Sequence, residues 1–498
     1  MSALALSPSE AVFAWLREQA DREIETSCAR VFLLPGRALK LKKPVDFGFL
    51  DFSTPRKRLW ALDRELAFNR RTSPDIYRRL AAITREGSGF AFDGPGEVVD
   101  YALEMRRFDP DAVLCEHPDR LTGELAEALG RMIARFHADA PVRRDGGGVK
   151  ALGYTIRTNA EHLRTLADRL GGEAVDRVIA ATDAAFADAS PLLEARRSSG
   201  FARHCHGDLH LGNILLEEGE PRLFDCIEFN DLLSEIDVLY DVAFLLMDLD
   251  IRDRPQIASR VMNAYLDEAL RGFPEAFLDG LAALPLMLSA RAAVRAHVTA
   301  YQGEIESGRT YLAAAERHLR PAPATLTAIG GVSGTGKTTL ARLVAPDLAS
   351  APGAVILRSD EARKRGPGQA HDAPAPPRAY DPAAVRNVYA ALFREARRIL
   401  DAGRSVILDA TFLDADLRAS AAAVAKGAGV AFHGVWLTAP RPLLEQRLFA
   451  RAGDASDATV ATLRLQLTRD PGQIDWTLAD ASDLSGAAKA LSGRETQP

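Results

Sequence analysis

The 498-residue sequence predicts two domains of the α/β type: an α+β region, then a parallel sheet flanked by helices. Three observations predict this. The length suits two to four domains at roughly 150 residues each. A connector with two prolines, Arg320-Pro321-Ala322-Pro323-Ala324, ends a long stretch rich in Ala, Leu and Arg that reads as helical. Beyond it, short apolar runs alternate with helical patterns, as in a parallel sheet covered by helices. The expected division is residues 1–320, a linker at 321–324, and residues 325–498.

Composition narrows the function. Hydrophobic residues make up 47% and charged residues 26%, which excludes general disorder and a collagen-like repeat. A net charge of −6 argues against a surface that coats nucleic acid or anionic lipid. After Pro321 there are 21 basic and 18 acidic residues, net +3; the preceding part, with 41 and 50, is net −9. The asymmetry is mild; it leaves room for an anionic substrate in the second part without demanding one. Cys28, Cys115, Cys205 and Cys226 form no C-x-x-C pair, which points to a reducing cytoplasm. The N-terminus lacks a basic leader pattern, and no apolar run reaches about 18 residues, so neither a signal peptide nor a membrane span is expected.

Along the first part, Arg37–Lys42 alternates like a strand and places Lys40 and Lys42 on one face. A lysine that holds the α- and β-phosphates of a nucleotide needs a helix glutamate as partner. Lys40 is the preferred candidate and Glu65 its expected partner, although edge strands carry lysines for other reasons. Tyr101–Arg106 is expected to form a hinge whose backbone meets adenine. His206-Gly207-Asp208-Leu209-His210-Leu211-Gly212-Asn213 follows the H-x-D-x-x-x-x-N pattern. Asp208 is expected to orient or deprotonate an acceptor hydroxyl. Asn213, and Asp225 at the end of a short apolar run, are expected to hold Mg²⁺. His204, His206 and His210 raise zinc as an alternative, but the neighbouring amide and carboxylates suit the harder ion. Asp237 and Asp241, one turn apart, read better as groups that cap and pair within a helix than as a substrate face.

In the second part, strand-like Thr325–Ile329 leads into Gly331-Val332-Ser333-Gly334-Thr335-Gly336-Lys337-Thr338-Thr339, a full match to G-x-x-x-x-G-K-[ST]. Glycines let the peptide N–H groups converge on phosphates. Lys337 is expected to reach the β- and γ-phosphates of ATP, and Thr338 to hold Mg²⁺. Strand Ala354–Leu357 precedes Ser359-Asp360-Glu361-Ala362-Arg363. Ligands bind at the carboxyl ends of such strands, so Asp360 is a candidate acceptor base and Arg363 a candidate anion anchor. The alternative for Asp360 is a helix N-cap. Strand Ser405–Leu408 ends in Asp409, the expected Mg²⁺-side carboxylate. Strand Gly434–Leu437 leads to a helix with Arg447 and Arg451 one turn apart, either lid groups that neutralise the transferred phosphoryl or ordinary surface arginines. Gly366–Pro382 reads as a proline-rich loop.

Two resemblances join these motifs. The region from Thr325 to Gln466 resembles small P-loop kinases related to polynucleotide kinase, often called AAA-type. The P-loop, Ser-Asp-x-x-Arg at Ser359–Arg363, Leu-Asp-Ala-Thr at Leu408–Thr411 and the Arg447/Arg451 helix carry it. It implies that Asp360 is the acceptor base and that the lid arginines bind phosphate. The region before Pro321 resembles the aminoglycoside phosphotransferase and choline kinase branch of the protein-kinase-like bilobal fold, through His206–Asn213 and Phe224-Asp225-Cys226-Ile227-Glu228-Phe229. Gly207 is typical of that branch. The stretch Lys42–Phe52 looks like a bacterial group that fuses the two domain types. Together they imply a cytoplasmic phosphotransferase with two ATP sites and small-molecule hydroxyl acceptors. A polynucleotide 5′-hydroxyl kinase and a nucleotide-sensing ATPase are the alternatives. Nucleic acid is disfavoured because net +3 is a thin electrostatic footprint.

Overall fold

A computed structural model of the chain describes residues 7–46, 50–365, 373–450 and 456–493. In chain order, the first elements are helix α1 (Pro8–Arg17), strands β1 (Arg22–Glu25), β2 (Ala29–Leu34) and β3 (Arg37–Lys42), helix α2 (Pro55–Asn69), and strands β4 (Tyr77–Glu86), β5 (Gly89–Phe92) and β6 (Val98–Arg106). Helices α3 (Gly123–Asp139), α4 (Gly148–Thr165), α5 (Ala167–Leu170) and α6 (Gly172–Ser198) follow. Next come β7 (Ala202–His204), β8 (Ile214–Glu217), β9 (Glu220–Leu223), α7 (Asp231–Ser234) and β10 (Glu235–Asp237). Helices α8 (Val238–Ile251), α9 (Pro255–Gly272), α10 (Leu284–Tyr301) and α11 (Ile305–His318) complete the part before the connector.

Beyond the connector lie β11 (Thr325–Gly330), α12 (Lys337–Val344), β12 (Val355–Arg358), α13 (Ser359–Arg363), α14 (Pro382–Asp401) and β13 (Val406–Asp409). The chain ends with α15 (Ala415–Ala428), β14 (Ala431–Thr438), α16 (Arg441–Phe449), α17 (Val460–Leu467), β15 (Thr477–Asp480) and α18 (Leu484–Ser492). The fold is mixed α/β with two domains: one built on an antiparallel sheet, and one built on a parallel sheet. Contacts divide the chain into two compact units. The first holds residues 1–121, 141–151 and 202–236, and the second holds 122–140, 152–201 and 237–498.

In the first unit, the six-stranded sheet runs β1-β2-β3-β6-β4-β5, all pairs antiparallel. Alternation along β3 sends Leu39 and Leu41 to one apolar layer, with Phe13, Leu16 and Phe32. Ala38 goes to the other, with Leu62 and Leu66 of α2. Lys40 and Lys42 therefore stand on the α2 side, as the alternation predicts. A buried Arg58–Asp100 pair ties α2 to β6: Arg58 Nε and Nη2 donate to Asp100 at 2.9 Å each, and Ser9 Oγ donates to the same carboxylate at 3.0 Å. Tyr101–Arg106 departs from the hinge expectation. It lies in β6, where Leu103 sits opposite Lys40 of β3 and Leu80 of β4. Its backbone groups serve the sheet, so any hinge begins after Arg106. An apolar strand and the hinge it enters have the same hydrophobic pattern, which is why the two were confused.

In the second unit, a wholly parallel sheet runs β12-β13-β11-β14-β15. Ile329, Ile356, Ile407, Val435 and Leu437 of its strands pack with Leu340 and Val344 of α12. The strand readings at Thr325, Ala354, Ser405 and Gly434 all fall in this sheet, within a few residues of the observed ends. Asp237 caps α8 by accepting from the Leu239 N–H at 2.9 Å and also pairs with Arg196 at 2.7 Å; Asp241 accepts from buried His137 at 3.0 Å. Asp237 thus caps its own helix as expected, whereas both aspartates pair across helices, with Arg196 of α6 and His137 of α3, and not within their own. A helical run, Glu275–Tyr301, is long and apolar enough to cross a membrane by length and composition, but 78% of its most apolar window is buried inside the protein.

Two predictions follow from buried charge. Asp100→Ala leaves Arg58 buried without its carboxylate and should cost about 3–5 kcal/mol in urea unfolding, whereas a paired Arg58→Met, Asp100→Leu change should cost far less. Burial also holds His204 and His318 down to about 4, and His297 down to about 3. These rings fold neutral, so their contribution is full above the unfolded value of about 6.5 and is lost as pH falls toward the folded values. The thermal midpoint should drop between pH 6.5 and 4, with a shallower slope in His297→Gln.

Candidate active sites

The first site is assembled wholly within the first unit. Lys40 Nζ lies 2.6 Å from Glu65 Oε1 and 2.7 Å from Asp225 Oδ1. Lys42 Nζ lies 2.7 Å from Glu65 Oε2 and 2.6 Å from Glu228 Oε1. The expected Lys40–Glu65 partnership is therefore present, and Lys42 doubles it. Glu65 has no exposed surface. Burial alone would raise its pKa, but Lys40 and Lys42 reverse that and hold it down. Burial likewise works against the charge on Lys40, while Asp225 and Glu65 outweigh it and keep the ammonium protonated. Burial pushes the Glu228 carboxyl up despite Lys42.

Asp225 has φ 62°, a left-handed backbone that a non-glycine residue keeps only when its neighbours enforce it. They do so here. The Asp225 N–H donates to the Tyr77 hydroxyl at 3.0 Å, and the next N–H, of Cys226, donates to Asn69 Oδ1 at 2.9 Å. The strained turn aims a carboxylate that is still 43% exposed back at Lys40.

The His206–Asn213 loop is held equally firmly. His206 Nε2–H donates to Phe224 O at 2.9 Å, and its Nδ1 accepts from the Asp208 N–H at 3.3 Å. Asn213 Nδ2 donates to both Asp208 O and Asp208 Oδ2 at 2.8 Å. The Phe224 N–H returns to Asn213 O at 3.1 Å, so backbone hydrogen bonds of Phe224 tie the loop to the Asp225 turn. Gly207 has φ 85°, and a Cβ there would stand 2.8 Å from Leu233 O, so glycine is required. The three histidines have separate tasks: His210 accepts from the Gly212 N–H and faces Asp208, while His204 packs edge-on to Phe68. The oxygens of Asp208, Asn213 and Asp225 are hard donors, and with Lys40 they fit a magnesium nucleotide better than zinc.

The second site lies at the carboxyl ends of the parallel strands, in a cleft of about 520 Å³. Ser333, Gly334, Gly336, Lys337 and Thr338 form one wall. At Gly334, φ is 88° and a Cβ would meet Leu444 O at 2.9 Å, so the loop path excludes any side chain. Lys337 Nζ donates to Val332 O at 3.1 Å. Thr338 Oγ1 donates to Asp409 Oδ2 at 2.5 Å, which puts the two expected Mg²⁺-side groups together. This set suits a nucleotide triphosphate with its metal. Gly331 donates its N–H to Thr411 O, Thr335 is buried with its hydroxyl on Val332 O, and Thr339 is exposed.

Asp360 and Arg363 line the same cleft and pair at 2.6 Å. The N-cap of α13 is Arg358, so Asp360 does not cap the helix. Arg447 of α16 lies against the P-loop. Its Nη2 donates to Ala481 O at 2.9 Å and its Nη1 to Thr335 O at 3.5 Å, so it braces the P-loop backbone. Arg451 lies outside the described residues. Motif reading missed several cleft residues: Tyr380, Tyr389, Asp457, Gln466 and Arg469. Gln466 accepts the Ser333 N–H at 2.7 Å. In the first site it missed Tyr77, Asn69 and Glu228, although Glu228 stood within the Phe224–Phe229 motif.

Two family models match consecutive parts of the chain. A model described as the phosphotransferase enzyme family matches residues 90–277, and one described as an AAA domain matches 326–469. A choline kinase structure from Cryptosporidium parvum is 12% identical, covers 62% of this chain and 95% of its own, and has a TM-score of 0.42. A gluconokinase structure from Sinorhizobium meliloti is 18% identical, covers 34% and 93%, and has a TM-score of 0.25. Uncharacterized proteins of Mycobacterium tuberculosis and Mycobacterium bovis are each 32% identical over 486 residues, covering 94% of this chain and 93% of their own length. The chain belongs to the same family as these mycobacterial proteins, and it carries a segment of the phosphotransferase enzyme family followed by an AAA domain.

Proposed function

We propose that the chain is a cytoplasmic, ATP-dependent phosphotransferase with two nucleotide sites, each passing a phosphoryl group to a hydroxyl of a small molecule. The domains would be residues 1–320 and 325–498. The observation that carries the reading is the ion-paired Lys40–Glu65–Asp225 set, tied through the Phe224 peptide to the Asp208–Asn213 loop. Neither half of that arrangement has a reason to be so exact in a merely structural turn. None of the four cysteines, all among the described residues, is in a disulfide, which supports a reducing compartment.

In the first site Lys40 would hold the α- and β-phosphates, with Asn213 and Asp225 as magnesium ligands. Asp208 would accept a hydrogen bond from the acceptor hydroxyl and then its proton. In the second, Lys337 and the loop amides would hold the β- and γ-phosphates, with Thr338 and Asp409 on the metal side. Asp360 would serve as base and Arg363 would anchor an anionic part of the acceptor. Bound magnesium ATP supplies the phosphoryl group and the ion that neutralises its charge. The chain's own groups orient the hydroxyl and take its proton.

The test follows γ-phosphate from labelled ATP into a protein-free metabolite extract. Asp208→Asn should lower labelling of one species by about 10²–10⁴-fold, the range for loss of a general base. Lys337→Ala should abolish labelling of another, and the double variant should leave none. Label that appears only as free phosphate, or that neither substitution affects, would sink the proposal.

A further inference from the structure

The parallel sheet has an open edge at β12, and α9 covers it in an unusual way. Asn263 of α9 accepts the Ile356 N–H at 2.6 Å and donates to Ala354 O at 3.3 Å. Its side-chain amide thus makes the two bonds that a neighbouring strand would make. A few residues on, α13 carries Glu361 beside Asp360. Glu361 has no exposed surface, and a buried carboxylate on a five-residue helix needs partners from elsewhere.

Those partners come from three elements. Arg271 of α9 reaches Glu361 Oε2 at 3.1 Å and also donates to Lys364 O at 2.9 Å. Arg131 of α3 lies 3.6 Å from Glu361 Oε1, and Arg358 of β12 lies 3.8 Å from it. Arg358 also stands 3.7 Å from Asp409, the carboxylate that receives the Thr338 hydroxyl. Arg365, just past α13, lies 3.4 Å from Asp267 of α9. The cluster is dense enough that burial and Glu361 push Asp267 up to about 7. Farther along, Glu127 of α3 lies 2.8 Å from Arg342 of α12 and from Arg260 of α9. Helices α3 and α9 both belong to the segment matched by the phosphotransferase model, and all these groups lie in the second unit.

We propose that Glu361 is a positioning residue through which α3 and α9 of the phosphotransferase segment orient α13, and with it Asp360, in the P-loop site. The inference rests on the proposed role of Asp360 as acceptor base. The P-loop site is then a product of both sequence regions. Its nucleotide half, the glycine loop and Lys337, takes contacts from Gln466 and Arg447 of its own sequence region, while α12 behind it also meets Glu127 and Gln256. Its acceptor half is held from outside by Arg271, Arg131 and Asn263.

The test uses the full-length protein with Glu361→Gln and Arg271→Met, and Asn263→Ala as a variant that touches only the strand edge. Amide exchange over 355–365 should accelerate at least ~10-fold, while exchange over 331–344 stays at the wild-type rate. The kcat of Lys337-dependent ATP turnover should fall ~10-fold or more, with KM for ATP changing less than ~2-fold. Wild-type exchange and kcat in the variants overturn the proposal. So does damage that spreads to 331–344 with a parallel rise in KM, because Glu361 would then be a general fold support. Should Glu361→Gln not fold, the other two variants decide between the same outcomes. If the wild type shows no Lys337-dependent turnover, the kinase reading of this site fails, and the exchange pattern alone decides the positioning role.

Discussion

Glu65 is cut off from water and still charged, and the first site is organised around that fact. A carboxylate moved from water to the interior loses solvation worth several kcal/mol even after relaxation. Only close, well-aligned cations offset that loss, and here two lysines from one strand do so, one on each oxygen. Because β3 spaces them two residues apart, both must stand on the same face. Each lysine then needs a second anion, which Asp225 and Glu228 provide three residues apart on the segment after β9. Removing Glu65 would leave two buried ammonium groups competing for the remaining carboxylates. The position of Lys40 is therefore fixed by charge balance and not by packing alone.

The second site is organised differently. Its nucleotide wall is backbone, shaped by glycines whose φ values side chains would not tolerate, with Gln466 and Arg447 bonded to it from later in the chain. Its acceptor wall is made of charged side chains on a short helix. A five-residue helix has too few internal hydrogen bonds to hold itself. The arginines of α3, α9 and β12 compensate. The same logic explains why Arg447 is drawn to the Thr335 and Ala481 carbonyls: the turn after β15 and the P-loop both expose acceptors that a guanidinium can satisfy together.

What could be read from the sequence was the chemistry that is local in the chain. The P-loop is contiguous, so its spacing alone declares it. The Asp208–Asn213 spacing and the β3 alternation are equally short-range, and they brought Lys40, Glu65, Asp208, Asn213 and Asp225 to one place. Glu228 was passed over because its partner, Lys42, lies 186 residues away in the chain. Gln466, Arg469 and Asp457 carry no motif; they reach the cleft through the path of the chain after α16. Asn263 was invisible for another reason. An Asn in the middle of an amphipathic helix is ordinary, and only the position of β12 gives its amide a task. Tyr101–Arg106 was misplaced because hydropathy does not record which backbone groups already have partners.

The Asn263 contact also bears on how the chain is made. An exposed parallel edge is a template for pairing with another copy, and parallel sheets close slowly because their strands are far apart in sequence. Synthesis runs from the N-terminus, so α9 leaves the ribosome about 80 residues before β12 does. The helix that guards the edge is thus available when the edge first forms, and the nascent sheet meets its own neighbour before it can meet a stranger's. With the order of the two regions reversed, the sheet would emerge unguarded.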